Sequence, residues 1–455
     1  MSALVETSGG PITWADRPGR ELLTLAWPIT ISTISYSAMT LASTGFVAHV
    51  GADELAGVGL GSVIAFALIC FGVGVLRGAK TLVSQAIGAN RADRVPALLG
   101  AALVLAGVLG VSALIAGHAI APLLQHLSAS PRAGRFAAQF LSLRSLAAPI
   151  VLVFGALREA CYGRGDTRSP MRASLVANGV NIALDATLIV GLHWGVRGAA
   201  IAGLCANATE LALLAIPMRA QLRAATFARD ALRDVWAQGL PNGLQFVMEV
   251  GVFLILTVLV ARMSAVDAAA HQMVLHLINV SFLPAHSLAE AAAVLVGQAV
   301  GANRDALVPR VARRALALGA AYSATCVVLF ALLGGLFVHG LAGSDDALGD
   351  RATTLVHVSL LFLVADAANV IARGVLRGTG DVKYAAAVGI ATSWLTTPIL
   401  AWLLGIYAGW GVVGGWLGLA TEIIVGASLF WLRVWRGGWR PAAAVSRRVL
   451  AGGGV

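Results

Sequence analysis

The chain has 455 residues, 58% of them hydrophobic and only 12% charged, with a mean hydropathy of +0.83. A soluble chain carries about 25% charged residues, so this composition excludes an ordinary soluble domain and points to a polytopic membrane protein. The formal net charge of +10 follows from topology and attraction to anionic lipid, and nucleic acid is not an expected partner.

Read in chain order, residues 1–20 form a cytoplasmic N-terminal arm, expected to be short and mobile. Twelve apolar runs follow, at 22–49, 55–78, 96–121, 136–157, 171–193, 197–217, 236–261, 267–299, 311–338, 352–373, 384–407 and 411–433. Each is long enough to cross roughly 30 Å of hydrocarbon as a helix. The stretch before Trp27 lacks the basic start, apolar centre and small-residue cleavage site of a signal peptide, so the first helix is expected to stay. The expected fold class is an all-α polytopic membrane protein of twelve transmembrane helices in two pseudo-symmetric six-helix bundles. The N-lobe covers 21–217 and the C-lobe 236–433. A cytoplasmic linker at 218–235, rich in Arg219, Arg223, Arg229 and Arg233, joins them as a solvated segment or a surface amphipathic helix. The basic tail at 434–455 is expected to be cytoplasmic and disordered.

Two lobes are expected because the chain repeats itself. Leu82-Val83-Ser84-Gln85-Ala86-Ile87-Gly88-Ala89-Asn90-Arg91 returns 213 positions later as Leu295-Val296-Gly297-Gln298-Ala299-Val300-Gly301-Ala302-Asn303-Arg304. Arg158, Gly163, Gly165 and Asp166 return as Arg373, Gly378, Gly380 and Asp381, 215 positions on. Pro28 returns as Pro241, and Thr209-Glu210 as Thr421-Glu422. Six spans per repeat is an even number, so the repeats are parallel, as in one class of transporter folds. With the N-terminus inside, most of the 32 Lys and Arg fall in cytoplasmic segments, Lys80–Arg94, Arg158–Arg172 and Arg373–Lys383 among them. The outer loops keep Arg132, Arg135, Arg197, Arg262 and Arg351. The positive-inside rule then places both termini in the cytoplasm and the protein in the cell inner (plasma) membrane.

Ionisable groups inside spanning helices are costly, so each is a candidate functional residue. Glu249 stands in the seventh run, about 16 Å from its cytoplasmic end near Gln238. Asp366 stands in the tenth, roughly 10–16 Å from the same face as judged from Arg373 and Arg377. At similar depth in one lobe the two can meet, either to share a proton or to chelate sodium with nearby oxygens. Asp185, with Asn181 one turn earlier on the same face, is the corresponding N-lobe pair. Of the eighth run's histidines, His276 is the best candidate, while His286 and Glu290 can simply pair. Glu210 and Glu422 read as structural equivalents, and Arg144 and Arg77 as snorkelling to the interfaces. The glycine-rich turns at 163–166 and 378–381 follow membrane helices and lack the Lys-Ser/Thr of a nucleotide site. The four scattered cysteines have neither disulfide nor metal spacing. Neither a metal site nor a catalytic constellation is expected, nor a cofactor, and the chain reads as no enzyme.

Together these residues resemble the multidrug and toxic compound extrusion (MATE) family, from about Leu22 to Trp435. The resemblance is carried by Ala26-Trp27-Pro28, the two repeated Gln…Asn motifs above, Ala269-Ala270-His271-Gln272 and Gly374-Val375-Leu376-Arg377-Gly378-Thr379-Gly380-Asp381. It implies two six-helix lobes around a cavity that alternates between membrane faces. It also implies antiport of cationic or amphipathic organic compounds against protons or sodium ions. The NorM-type and eukaryotic branches carry acids that Glu249 and Asp366 resemble. The DinF-type branch carries an Asn–Asp pair matched by Asn181 and Asp185. Where the eukaryotic branch has a further Glu, this chain has His276. It departs from the pattern at Ser43, where many bacterial members carry Asp, and at Phe362, where the sodium site uses Tyr; the second departure tilts the coupling ion towards protons. Expected partners are small organic cations, amphipathic drugs or metabolites and membrane lipids, with a monomeric carrier. A lipid-linked precursor flippase is the alternative, disfavoured because the first run has no Arg or Lys after Arg20. An intramembrane enzyme is a weaker alternative still.

Overall fold

The computed structural model describes residues 12–127 and 130–451, and among them every regular element is helical. Twelve long helices account for the apolar runs. They are α1 Pro18–Ala48, α2 Ala52–Gly88, α3 Val95–Ile120, α4 Pro131–Ser145 with Ala148–Gly163, α5 Arg168–Asp185, and α6 Gly195–Ala215. The second set is α7 Arg229–Ala261, α8 Ala265–Gly301, α9 Leu307–Ala342, α10 Asp346–Leu360 with Leu363–Gly378, α11 Val382–Leu400, and α12 Val412–Trp435. A further helix, α13, covers Arg440–Leu450. Ten of the segments are long and apolar enough to span a membrane unbroken, and the bent pairs of α4 and α10 bring the total to twelve. Large apolar side chains such as Leu41, Leu332 and Leu336 are exposed, as lipid contact requires. The chain is a multi-pass membrane protein.

Two spans that the apolar runs present as continuous are in fact bent, α4 by 47° and α10 by 52°. In α4 the cause is Pro149 in the first turn of the second segment, which has no N–H to give and crowds the carbonyl four residues back. In α10 the chain leaves helical geometry at Phe362 (φ −123°, ψ −9°), whose buried ring packs 6.2 Å from that of Trp416.

The internal repeat is a repeat of backbone conformation. Asn90 and Asn303 both take φ 57°, and Gly165 and Gly380 take φ 85° and 84°. Asn and Gly are the residues that adopt this left-handed region at least cost, which explains why these letters recur. α5 and α11 both finish in a π-helical turn, Ala186–Gly191 and Ala401–Tyr407. The repeated Gln…Gly motif also packs on its own copy. A Cβ on Gly88 would overlap the backbone of Gln298, and one on Gly301 the backbone of Gln85, so small residues let these helix ends cross closely.

The described chain divides into two compact units. One joins the described part of Met1–Trp27 to Ser84–Asn90 and Leu244–Val455; the other joins Pro28–Val83 to Arg91–Gly243. Two expectations need correction. The arm is anchored from Trp14 onward: its ring is buried and its Nε1 donates to Gln298 Oε1 at 2.7 Å, while residues 1–11 lie outside the described residues. The tail is not disordered through Leu450. α13 buries Ala443, Ser446 and Leu450, and Arg447 pairs with Asp305 at 2.7 Å. The Arg-rich linker, read as a solvated segment or a surface helix, is part helix: a short one covers Arg219–Ala224, and α7 begins at Arg229.

Candidate functional site

In the unit containing Leu244–Val455, α7, α10 and α12 bring Glu249, Asp366, Arg373, Arg377 and Glu422 into one region, with α11 packed beside them. Glu249 on α7 accepts from Arg373 of α10 at 2.5 Å and from Gln245, one turn earlier, at 2.8 Å. Arg377 in turn donates to Gln245 Oε1 at 3.3 Å. Both ends of the Glu249–Arg373 pair are about four-fifths covered, with side-chain exposures of 22% and 20%. Gly389 of α11 makes room for this chain of bonds: a Cβ there would collide with the Gln245 amide and stand 3.3 Å from Glu249 Oε1. The Arg373 guanidinium also lies 5.9 Å from the Phe430 ring centre.

Asp366 sits in the first turn of the second α10 segment, where the bend at Phe362 turns it and the exposed N–H groups favour a negative charge. Glu422 of α12 accepts from the buried hydroxyl of Thr397. Arg373 acts electrostatically on both Asp366 and Glu422, and Glu422 feels Glu249 and Asp366 as well. Glu249 and Asp366 therefore share a cluster through Arg373 and Glu422, without a hydrogen bond to each other. Phe362, in place of a hydroxyl-bearing residue, gives this cluster no oxygen.

Sequence reasoning passed over two members. Arg373 looked like a cytoplasmic loop charge because it heads a basic stretch, yet its guanidinium is on Glu249. The signal was its recurrence from Arg158. Glu422 looked like the structural equivalent of Glu210, but the two differ in depth. Gly195 and Gly411, both at positive φ, open α6 and α12. Measured from them, Glu422 is one helical turn nearer its helix start than Glu210, about 6 Å. Glu210 accepts from Ser174 at 2.6 Å instead.

The other unit holds a different arrangement. Asp185, at the end of α5 before the π-helical turn, is 1% exposed. Ser43 of α1 donates to its Oδ2, and Asn181 donates to the same oxygen at 3.0 Å while accepting from the Gly203 N–H at 3.2 Å. Asp185 Oδ1 is buried without a hydrogen-bond donor. Ser43 thus puts a hydroxyl on the Asp185 carboxylate. Asn181 and Ser43 also line a cavity of about 200 Å³, with Tyr36, Phe66 and Arg144. Arg144 lines that cavity, contrary to the expectation that it snorkels to an interface.

His276 is exposed and forms no hydrogen bond or ion pair among the described residues. The histidine at the core of α8 is His271, whose Nδ1 accepts from Trp416 Nε1 at 3.0 Å. His286 and Glu290 lie 3.7 Å apart. Lys80 and Glu159, which sequence reading placed among loop charges or did not single out, form a buried pair at 3.5 Å with side chains only 3% exposed. All four cysteines are free and lie within helices.

The fold has counterparts in known proteins. The chain matches the MatE family model twice, over residues 28–187 and 241–403, starting at each of the repeated prolines. It is 30% identical to the probable multidrug resistance protein NorM of Pseudomonas putida over 90% of this chain and 92% of that one. It is 31% identical to the NorM protein of Pseudomonas aeruginosa, over 90% and 87%. Among solved structures, a MOP superfamily transporter from Pyrococcus furiosus superposes with a TM-score of 0.87 at 20% identity, covering 98% of this chain and 100% of that one. The eukaryotic MATE transporter AtDTX14 does so with a TM-score of 0.84 at 20% identity, covering 96% and 99%. This chain belongs to the MATE family of membrane transporters.

Proposed function

We propose that the protein exports cationic or amphipathic organic compounds across the cell inner membrane in exchange for protons. Its N-lobe (21–217) and C-lobe (236–433) would alternate access to the two faces, with both termini cytoplasmic. The carrying observation is the cluster of Glu249, Asp366 and Glu422 around the guanidinium of Arg373. Even with Arg377 joined to it through Gln245, three carboxylates against two cations leave anionic capacity in a mostly covered site, and opposite charges attract strongly where water is scarce. Arg373 acts as a resident counter-ion on Glu249. An incoming organic cation takes up the remaining negative charge, chiefly that of Asp366 and Glu422. A proton arriving at either carboxylate removes the charge that held the cation and weakens its binding. Both ligands need only bias one two-state equilibrium for export to follow. The NorM relatives, named as multidrug resistance proteins, support the organic substrate class.

The test is ethidium transport in proteoliposomes holding the purified protein, first under an imposed pH gradient and then under a sodium gradient at equal pH. The expected result is uphill movement driven by the pH gradient and none by sodium alone. Movement driven only by sodium would reassign the coupling ion, and movement under neither gradient would overturn the antiport reading.

A further inference from the structure

The export cycle above does not use Arg144, which unlike Lys80, Glu159 and Glu210 has no side-chain hydrogen bond or ion pair among the described residues. Arg144 closes the first segment of α4, immediately before the bend, and its side chain lines the cavity of about 200 Å³. Its place beside the α5 site is fixed by Gly203, whose added Cβ would lie 3.7 Å from Arg144 Nε and 3.9 Å from the Asn181 side-chain amide. No Asp or Glu lines this cavity among the described residues. The nearby carboxylate, Asp185, is buried behind Ser43 and Asn181, which occupy one of its oxygens. The wall is largely aliphatic, Met39, Leu68 and Ile69 among it, and adds the rings of Tyr36, Phe66 and Phe140 and the hydroxyls of Ser43 and Ser145.

A buried or half-buried guanidinium without an anion is costly, because its five donors lose water and gain nothing. Its planar fork fits a carboxylate through two parallel hydrogen bonds. An apolar cavity of about 150 Å³ is large enough to bind benzene, so this one has room for a small aromatic ring with an acidic group. We propose that this cavity binds small aromatic carboxylic acids, with Arg144 donating to the carboxylate and the ring held against Tyr36, Phe66 and Phe140. The site is separate from the cluster around Arg373 and opposite in preference. It stands or falls independently of cation export, because it is a claim about binding.

The experiment uses the full-length protein in detergent at pH 7 and titrates three matched probes: 1-naphthoate, its methyl ester and 1-naphthylmethylamine. The wild type is expected to bind the acid best. Arg144→Gln is expected to weaken the acid by about tenfold or more, the loss of a charge-assisted pair, and to leave the ester unchanged. Arg144→Lys, which keeps the charge but not the fork, is expected to fall between. Ester or amine binding to the wild type as tightly as the acid would overturn the proposal. So would acid affinity unchanged in Arg144→Gln. If Arg144→Gln loses all binding through misfolding, Arg144→Lys decides: an acid preference that survives supports the site, and its disappearance with ester binding intact overturns it. Because no gradient is involved, failure here leaves the export reading untouched, and failure of export leaves this one.

Discussion

The contact between α2 and α4 and the contact between α8 and α10 share a backbone plan but not a chemistry. Gly163 lies against the Lys80 carbonyl and Val83, and Gly378 lies against the Ala293 carbonyl and Val296 in the same relation. One turn away, the first contact carries Glu159 paired with Lys80, both almost fully buried. The second carries Gly374 and Ala293, and a Cβ on Gly374 would strike the Ala289 carbonyl. The acidic sites differ in the same spirit. Asp185 is held by the neutral donors Ser43 and Asn181, whereas Glu249 is held by a guanidinium. A duplicated scaffold therefore keeps the positions where helices must touch or turn, and lets the buried charges diverge. Charge that one half spends on an internal pair is, in the other half, gathered around one arginine.

Breaking the charged contact in the first half is expected to have the largest effect. Lys80→Ala leaves Glu159 buried with Arg158, at 3.0 Å, as its remaining cation, so the expected cost is about 2–3 kcal/mol, below that of a buried charge left wholly unpaired. Adding Glu159→Gly recreates the pattern of Ala293 and Gly374, and the double variant is expected to be more stable than Lys80→Ala alone. Thermal unfolding of the detergent-solubilised proteins measures this. A double variant as unstable as the sum of the singles would show that the two contacts are not built alike.

Glu249→Gln sharpens the contrast between the acidic sites. It removes the anion that faces Arg373 and is expected to cost about 1–3 kcal/mol, and to lower coupled ethidium transport by about tenfold or more, the equivalent of one lost charge-assisted bond. Wild-type transport by both Glu249→Gln and Asp366→Asn would remove the cluster from the mechanism. Asn90→Ala and Asn303→Ala each keep φ 57° but remove the short polar side chain that makes the left-handed region tolerable, and each is expected to cost about 1–2 kcal/mol. Equal losses in unfolding measurements would confirm that the repeat is kept for its turns, and a neutral result at either would deny it. Asp185→Asn is expected to change least, within about 1 kcal/mol, because its partners are uncharged. A loss as large as that of Glu249→Gln would erase the distinction between the sites.

Much of this architecture was legible in the sequence because hydrophobicity and repeats report what a membrane and a backbone demand. Span length follows from bilayer thickness, and Asn90, Asn303, Gly165 and Gly380 are fixed by φ. Apolar runs could not reveal the bends in α4 and α10, since hydropathy along a run carries no information on backbone direction. Pro149 was the available signal in α4, and α10 offers none. Charged residues were read by position along the chain, so Arg373 and Lys80 were grouped with loop charges although helical geometry carries them inward. The exposed His276 and the buried His271 lie on one helix. Hydropathy alone does not say which of them meets Trp416. Glu422 was read with Glu210 because each closes a Thr-Glu pair, and each does accept from a hydroxyl of the preceding span, Thr397 and Ser174.

The most direct test is calorimetric titration of an organic cation into the purified protein, carried out in two buffers of different ionisation enthalpy and across a range of pH. Competition between cation and proton at the carboxylates around Arg373 predicts that binding releases protons, and that affinity rises with pH through the cluster's titration range. Zero proton release, with affinity that follows sodium concentration instead, would contradict it.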